Sequence, residues 1–192
     1  MEILTAFNQM LIASGEAPVE SLDGSHPLHT ALLQVLEDVS TLEQSKGWWF
    51  NEYKTTLTPD GTGRIELAAD VVRIQPLGAG RSFVRRGNFL LDRETRSDVF
   101  DKPITVLLTE RWDFEDLPPT FAQYVAAMAA LQAGSAYDAD QLTLQSLLSR
   151  VDLARMPMMK EHVDNSRVNL FETPSMHGKL LDVRMNRYGV AR

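Results

Sequence analysis

A chain of 192 residues, 44% hydrophobic and 23% charged, is long enough to bury a core without disulfides or a structural metal. It contains no cysteine, which excludes disulfide scaffolds, thiolate metal sites and cysteine nucleophiles. A net charge of −7 argues against a surface given over to nucleic acid, and with no basic leader and no apolar run of roughly 18 residues the expectation is a soluble chain without export signal or membrane span.

Ile3, Leu4, Phe7, Met10 and Leu11 predict an amphipathic helix over residues 2–14, stopped by Gly15. After a loop punctuated by Pro18 and Gly24, Ser25 is placed to cap a second helix. That helix is expected from near His26 to Lys46, with Gly47 as its stop. Aromatic and β-branched residues predict a strand over 48–57, and further strands are expected at 64–67, 71–75, 82–86, 88–92 and 104–110, joined as hairpins. Helix returns after Leu117-Pro118-Pro119, with the stripe Phe121, Tyr124, Val125, Met128 and Leu131 and an alanine-rich run suited to close packing. A fourth helix is expected from about Asp140 to Arg155, kinked or ended by Pro157. Beyond His162 no period is sustained. The last thirty residues read as an arm that would reach roughly 100 Å when extended, against a radius of gyration near 16 Å for a compact chain of this length.

The fold class expected is therefore α+β. A four-helix region is drawn from residues 1–47 and 117–162, a small antiparallel hairpin sheet is inserted over 48–116, and an extended C-terminal arm covers 163–192.

Little here points to catalysis. His26 and His29 sit three apart at a helix start, but no third ligand completes a metal site. His162 and His177 have no Gly-x-Ser-x-Gly elbow to serve. Gly78-Ala79-Gly80-Arg81-Ser82 lacks the Gly-Lys-Ser/Thr ending of a phosphate loop and reads as a hairpin turn. Glu110, Asp113, Glu115 and Asp116 offer carboxylates of the kind that hydrolyse sugars, yet acids before a helix are also what its dipole favours. Arg81, Arg85, Arg86, Arg93 and Arg96 crowd the hairpins as a possible dock for acidic protein or phosphate, interleaved with Asp92, Glu94, Asp98 and Asp101. Trp48 and Trp49 would point to opposite faces of a strand, leaving one for a subunit contact.

Several segments, in order, resemble the tail tubular protein A family, the head-to-tail adaptors of short-tailed bacteriophages. They are Ala6-Phe7-Asn8 with Leu11, Gly15-Glu16-Ala17-Pro18-Val19 with Leu22, Gly47-Trp48-Trp49-Phe50-Asn51, Leu91-Asp92-Arg93-Glu94-Thr95 with Ser97-Asp98-Val99-Phe100, and Leu117-Pro118-Pro119. The likeness covers about residues 3–135 and departs after Ala136. It implies a structural virion protein and gatekeeper, assembled in the host cytoplasm, with neither cofactor nor membrane. Twelve such subunits form a ring that joins the portal protein to the tail nozzle, tail tubular protein B, with tail fibres as further neighbours. DNA passes through the ring without sequence-specific binding. We expect Phe171, Leu180, Leu181, Arg184, Arg187 and Tyr188 of the arm to dock on the portal or a neighbouring subunit, and Arg81, Arg85, Arg86 and Arg93 to face the nozzle. The competing expectation is a tail-associated hydrolase using the carboxylates at 110–116 on a host-surface polysaccharide. A third, a free-standing nucleic-acid-binding module, is disfavoured by the net charge.

Overall fold

Helices from the two ends of the chain enclose one core, and strands from its middle enclose a second. The computed structural model describes residues 1–77 and 82–171. Helix α1 (Ile3–Ala13) buries Ala6, Phe7, Met10, Leu11 and Ala13, the face its spacing predicts. It ends in a Schellman turn: Gly15, at φ 79°, donates to the Ile12 carbonyl at 3.1 Å and Glu16 donates to the Leu11 carbonyl at 2.9 Å. The chain then folds back over α1 because the Asn8 amide pairs with both backbone groups of Val19, at 2.8 and 2.9 Å. This accounts for the Phe-Asn and Gly-Glu-x-Pro-Val segments occurring together.

Helix α2 (His29–Gln44) starts later than Ser25 and Pro27 suggest. Ser25 is instead drawn to Asp23, its hydroxyl donating to the carboxylate at 2.6 Å, and the Leu28 N–H donates to His26 Nδ1 at 3.1 Å. Helix α3 (Pro119–Ala136) packs against α1, α2 and a fourth helix, α4 (Gln141–Phe171). Being surrounded, it buries Ala122, Ala126, Ala129, Ala130, Ala133 and Gly134, whose small side chains let three neighbours approach closely.

The fourth helix corrects two expectations. It neither ends nor breaks at Pro157, and residues 163–171, expected to open the irregular arm, are helical. Loss of the proline N–H and its steric clash ordinarily cost about 3 kcal/mol. Here Pro157 faces solvent, as does Leu153, whose carbonyl loses its donor, while Leu147 and Val151 on one side of the proline and Met158 on the other are buried. Burial on both sides keeps the helix continuous through the proline.

The strands are β1 (Glu52–Leu57), β2 (Val71–Pro76), β3 (Phe83–Arg86), β4 (Phe89–Asp92) and β5 (Ile104–Glu110). They form two sheets rather than one run of hairpins: an antiparallel β1-β5-β2 sheet and the β3-β4 hairpin. The apolar segment Ile104–Glu110 takes the central place, with Ile104, Val106 and Leu108 buried, and the polar Glu52–Leu57 lies at an edge. Residues 48–51, expected to open a strand, form a turn, and residues 64–67 contribute one bridge, Glu66 to Phe89, in place of a strand. Ile65 and Leu67 are nonetheless buried in the second core.

Candidate functional site

The two cores meet at a knot of polar side chains between the end of α2 and the ends of β1 and β5. Gln44, fully buried, donates to the Trp112 carbonyl at 2.9 Å, accepts from the Trp112 N–H at 2.7 Å and donates to Ser40 Oγ at 2.9 Å. Asn51, equally buried, accepts from the Trp48 N–H at 2.9 Å and donates to the carbonyls of Gln44 at 3.1 Å and Glu110 at 2.7 Å. Arg73 adds a bond to the Lys46 carbonyl at 2.8 Å, and Arg111 pairs with Glu37 of α2. Buried polar groups that are fully paired fix one geometry, so the helical unit and the sheet are held in a defined relation.

Aromatic rings close over this knot. Trp48 donates its indole N–H to the Glu43 carbonyl at 2.7 Å and packs edge-on against Phe121. His162 of α4 stands 5.1 Å from Trp48 and 5.9 Å from Trp49, its Nδ1 buried without a partner. Both tryptophans are half-buried and belong to a turn, so strand alternation does not apply to them. Glu43, buried, pairs with Lys46 at 2.6 Å; burial, then the Glu43 charge, raise the Tyr124 phenol above its usual range, while Arg155 opposes them. The Gly47-Trp48-Trp49-Phe50-Asn51 segment signalled this junction in the sequence, although its partners Gln44 and Trp112 did not stand out. Gly47 turns the chain out of α2 at φ 82°, a left-handed conformation that is strained for any residue with a Cβ, so the helix exit calls for glycine.

The hairpin arginines separate by face. Arg85 turns inward to tie the hairpin to β2, donating from Nε to the Gly87 carbonyl at 2.9 Å and from Nη1 to the carbonyls of Val71 at 2.8 Å and Ala69 at 3.3 Å. Arg86 and Arg93 are exposed, and the Arg93 guanidinium reaches Ser82 Oγ at 3.4 Å. Arg81 lies outside the described residues, as do Leu180, Leu181, Arg184, Arg187 and Tyr188 of the arm; Phe171 is the last residue of α4. Arg85→Ala should lower stability by about 1 kcal/mol, since it strips the partly buried Val71 carbonyl of a charged donor and two exposed carbonyls of theirs, and Arg86→Ala should leave stability unchanged. Urea unfolding of the two variants checks this contrast.

The acidic residues do not act as one group. Glu110 accepts the Tyr53 hydroxyl, whose pKa is pushed up to about 12 by burial and by that carboxylate. Asp113 lies 3.7 Å from Arg111. Asp113 and Glu115 border a groove between α1 and α2 that does not include Glu110 or Asp116. The paired histidines also have separate roles: His26 accepts a backbone N–H, and His29 packs on Phe7 at 5.6 Å with Nε2 buried and unpartnered. Among the described residues no group of three metal-ligating side chains converges, and no helix is long and apolar enough to cross a membrane. The arrangement suits firm, geometry-dependent contact with other proteins.

Comparison with known proteins gives the same direction. A family model described as tail tubular protein matches residues 4–168. Tail tubular protein A of Klebsiella phage KP34 is 26% identical over 174 residues, covering 90% of this chain and 93% of that protein. The chain belongs to the tail tubular protein family and is a structural component of a bacteriophage tail, assembled there with other tail proteins.

Proposed function

We propose that the chain is the adaptor of a short-tailed phage, twelve copies forming a ring between the portal and the tail nozzle and surrounding the path of the DNA. The observation that supports this reading is the two-core build: a helical core drawn from α1 to α4 that also takes in Phe114 and the Trp48–Phe50 turn, and a second core of Ile65, Leu90, Val106 and their neighbours, joined by the buried Gln44–Asn51 knot. A ring subunit with a different partner above and below needs two surfaces held in fixed relation. The acidic balance suits a conduit, because carboxylates near the channel repel phosphate, whereas a basic lining would hold it. The role needs no catalysis.

In this reading the segment beyond α4, with Leu180, Leu181, Arg184, Arg187 and Tyr188, docks together with Phe171 on the portal or a neighbouring copy, and Arg81, Arg86 and Arg93 face the nozzle. Arg85 is better assigned to internal support. The test is the mass of the complex formed when the purified chain is mixed with the portal ring of its own phage. Saturation at about one chain per portal subunit is expected for a matched ring; no addition to portal rings or to DNA-filled heads overturns the adaptor reading. Removing residues 172–192 leaves α4 whole and should abolish portal binding, and unchanged binding would overturn the docking role of that segment. Charge reversal at Arg86 and Arg93 should weaken the nozzle joint and spare the portal joint.

A further inference from the structure

Among the described residues one sheet edge is left open. The register of β2 shifts between Val71 and Arg73, the strand ends in Pro76, and Arg85 of the hairpin is bonded to its Val71 carbonyl at 2.8 Å. In the hairpin, β4 is covered in turn, since Leu90 donates to the Ile65 carbonyl at 3.0 Å and Leu67 donates to the Asn88 carbonyl at 2.7 Å. Strand β1 has none of these devices. It contains neither proline nor bulge, and among the described residues it pairs with β5 alone. Its outer side is therefore a template for another strand.

The pairing with β5 also fixes what each face of β1 offers. Tyr53, Thr55 and Leu57 stand opposite Leu108, Val106 and Ile104, the buried row of β5, and Leu57 packs against the second core. Glu52, Lys54 and Thr56 lie on the other face. The sequence beyond the described residues contains a match for this edge. Leu181, Val183 and Met185 alternate with Asp182, Arg184 and Asn186, a short strand pattern inside a stretch that keeps no longer period. Laid antiparallel with Arg184 opposite Glu52, the segment also sets Asp182 opposite Lys54, while Leu181 and Val183 fall on the core face beside Thr55 and Tyr53. A slip of two residues either way sets Arg184 against Lys54 or Asp182 against Glu52, and a slip of one turns Leu181 and Val183 to the outer face. A parallel arrangement makes one of the two charge pairs at most.

We propose that residues 179–184 of one copy add as a fourth strand to the free edge of β1 in the next copy, so that exchanged arms join neighbours around the ring. This rests on the adaptor reading above and names the surface that its C-terminal segment meets. Helix α4 supplies the reach. His162 packs on Trp48 and Trp49, but Val163, Asp164 and Asn165 after it are exposed, and the helix runs on to Phe171, about 13 Å past His162. The helix thus leaves its own body before the strand segment begins, and residues 172–178 can add up to about 24 Å. Edge and arm are different patches of one chain, as the head-to-tail contact of a ring requires.

The absence of native cysteine makes the contact directly testable, because introduced thiols report alone. Phage particles are built with Thr55→Cys, with Leu181→Cys and with both, then treated with an oxidant or a short bis-maleimide. The double variant should give a ladder of multiples of the 21.6 kDa chain, and each single variant should remain at one chain. Thr55→Cys with Met185→Cys, about 13 Å out of register, should give no ladder, and an equal ladder from it overturns the strand pairing. Should Thr55→Cys fail to assemble, Thr56→Cys with Leu180→Cys, the adjacent pair of the same register, replaces the first pair. A cross-link closed within one chain gives the segment to its own copy's edge and overturns the exchange. Double-variant particles whose thiols stay free overturn the contact and leave the adaptor reading standing. A dimer from either single variant, or capture of a different tail protein, assigns edge or arm another partner and also overturns it. Absence of even the unmodified chain from the particle overturns the adaptor reading, and the contact with it.

Discussion

Asn51→Ala should destabilise the chain by about 3–5 kcal/mol, since each buried polar group left unpaired costs roughly 1–3 kcal/mol. The residue is fully buried, and three backbone groups lose their partner at once: the Trp48 N–H and the carbonyls of Gln44 and Glu110. For a chain of this size about 2–4 °C of Tm accompanies each kcal/mol, so the midpoint should fall by on the order of 10 °C. Asn51→Asp should be no better. It keeps an acceptor for Trp48 but turns an anion toward two carbonyls. Gln44→Ala acts in the same network, so the double variant should cost less than the two single losses added. Urea unfolding measures all four chains; a loss below about 1 kcal/mol for Asn51→Ala would mean that water replaces the amide and that the junction does not lock the two units.

How much of this was legible in the sequence depends on how far each interaction reaches along the chain. The face of α1 follows from local spacing, the internal place of α3 from its alanine-rich run, and the strands β2 to β5 from local β-branched and apolar runs closed by turn residues. The family was legible too, because its segments are short and ordered. What escaped depends on distant partners. The Gln44–Trp112 bonds join residues 68 apart, and no periodicity within one element points to them. Asn51 was visible as part of a motif, but its bond to Trp48, which turns the chain and delays β1 to Glu52, requires a side chain to compete with a strand ladder. The continuity of α4 through Pro157 was misjudged for the same reason: the local cost is read at the proline, while the compensating burial of Met158 comes from α3. Arg85 and Arg86 were expected together in the nozzle-facing set; neighbours on a strand point to opposite faces, and it is the distant carbonyls of Ala69 and Val71 that show Arg85 to be the one turned inward.

Phe121→Ala should cost a similar 3–5 kcal/mol by a different route, the loss of a large buried ring and the cavity it leaves. Phe121 sits in the first turn of α3, fully buried, with ring centroids 4.9 Å from Phe50, 5.3 Å from Trp48 and 6.3 Å from Tyr124. His162 also packs on Trp48, so the phenylalanine supports the contact of α4 with the exit of α2 as well as its own helix start. The two junction variants should respond differently to conservative replacement. Phe121→Leu retains most of the apolar volume and should recover half or more of the loss, whereas Asn51→Leu fills space without supplying a donor or acceptor and should recover nothing. Near-ultraviolet circular dichroism of Phe121→Ala should show a weakened tryptophan signal below its unfolding midpoint, because Trp48 loses the ring that fixes it. A Phe121→Ala chain with unchanged tryptophan bands and a loss under about 1.5 kcal/mol would mean that the neighbouring rings collapse into the space, and that the polar knot alone holds the helical unit to the sheet.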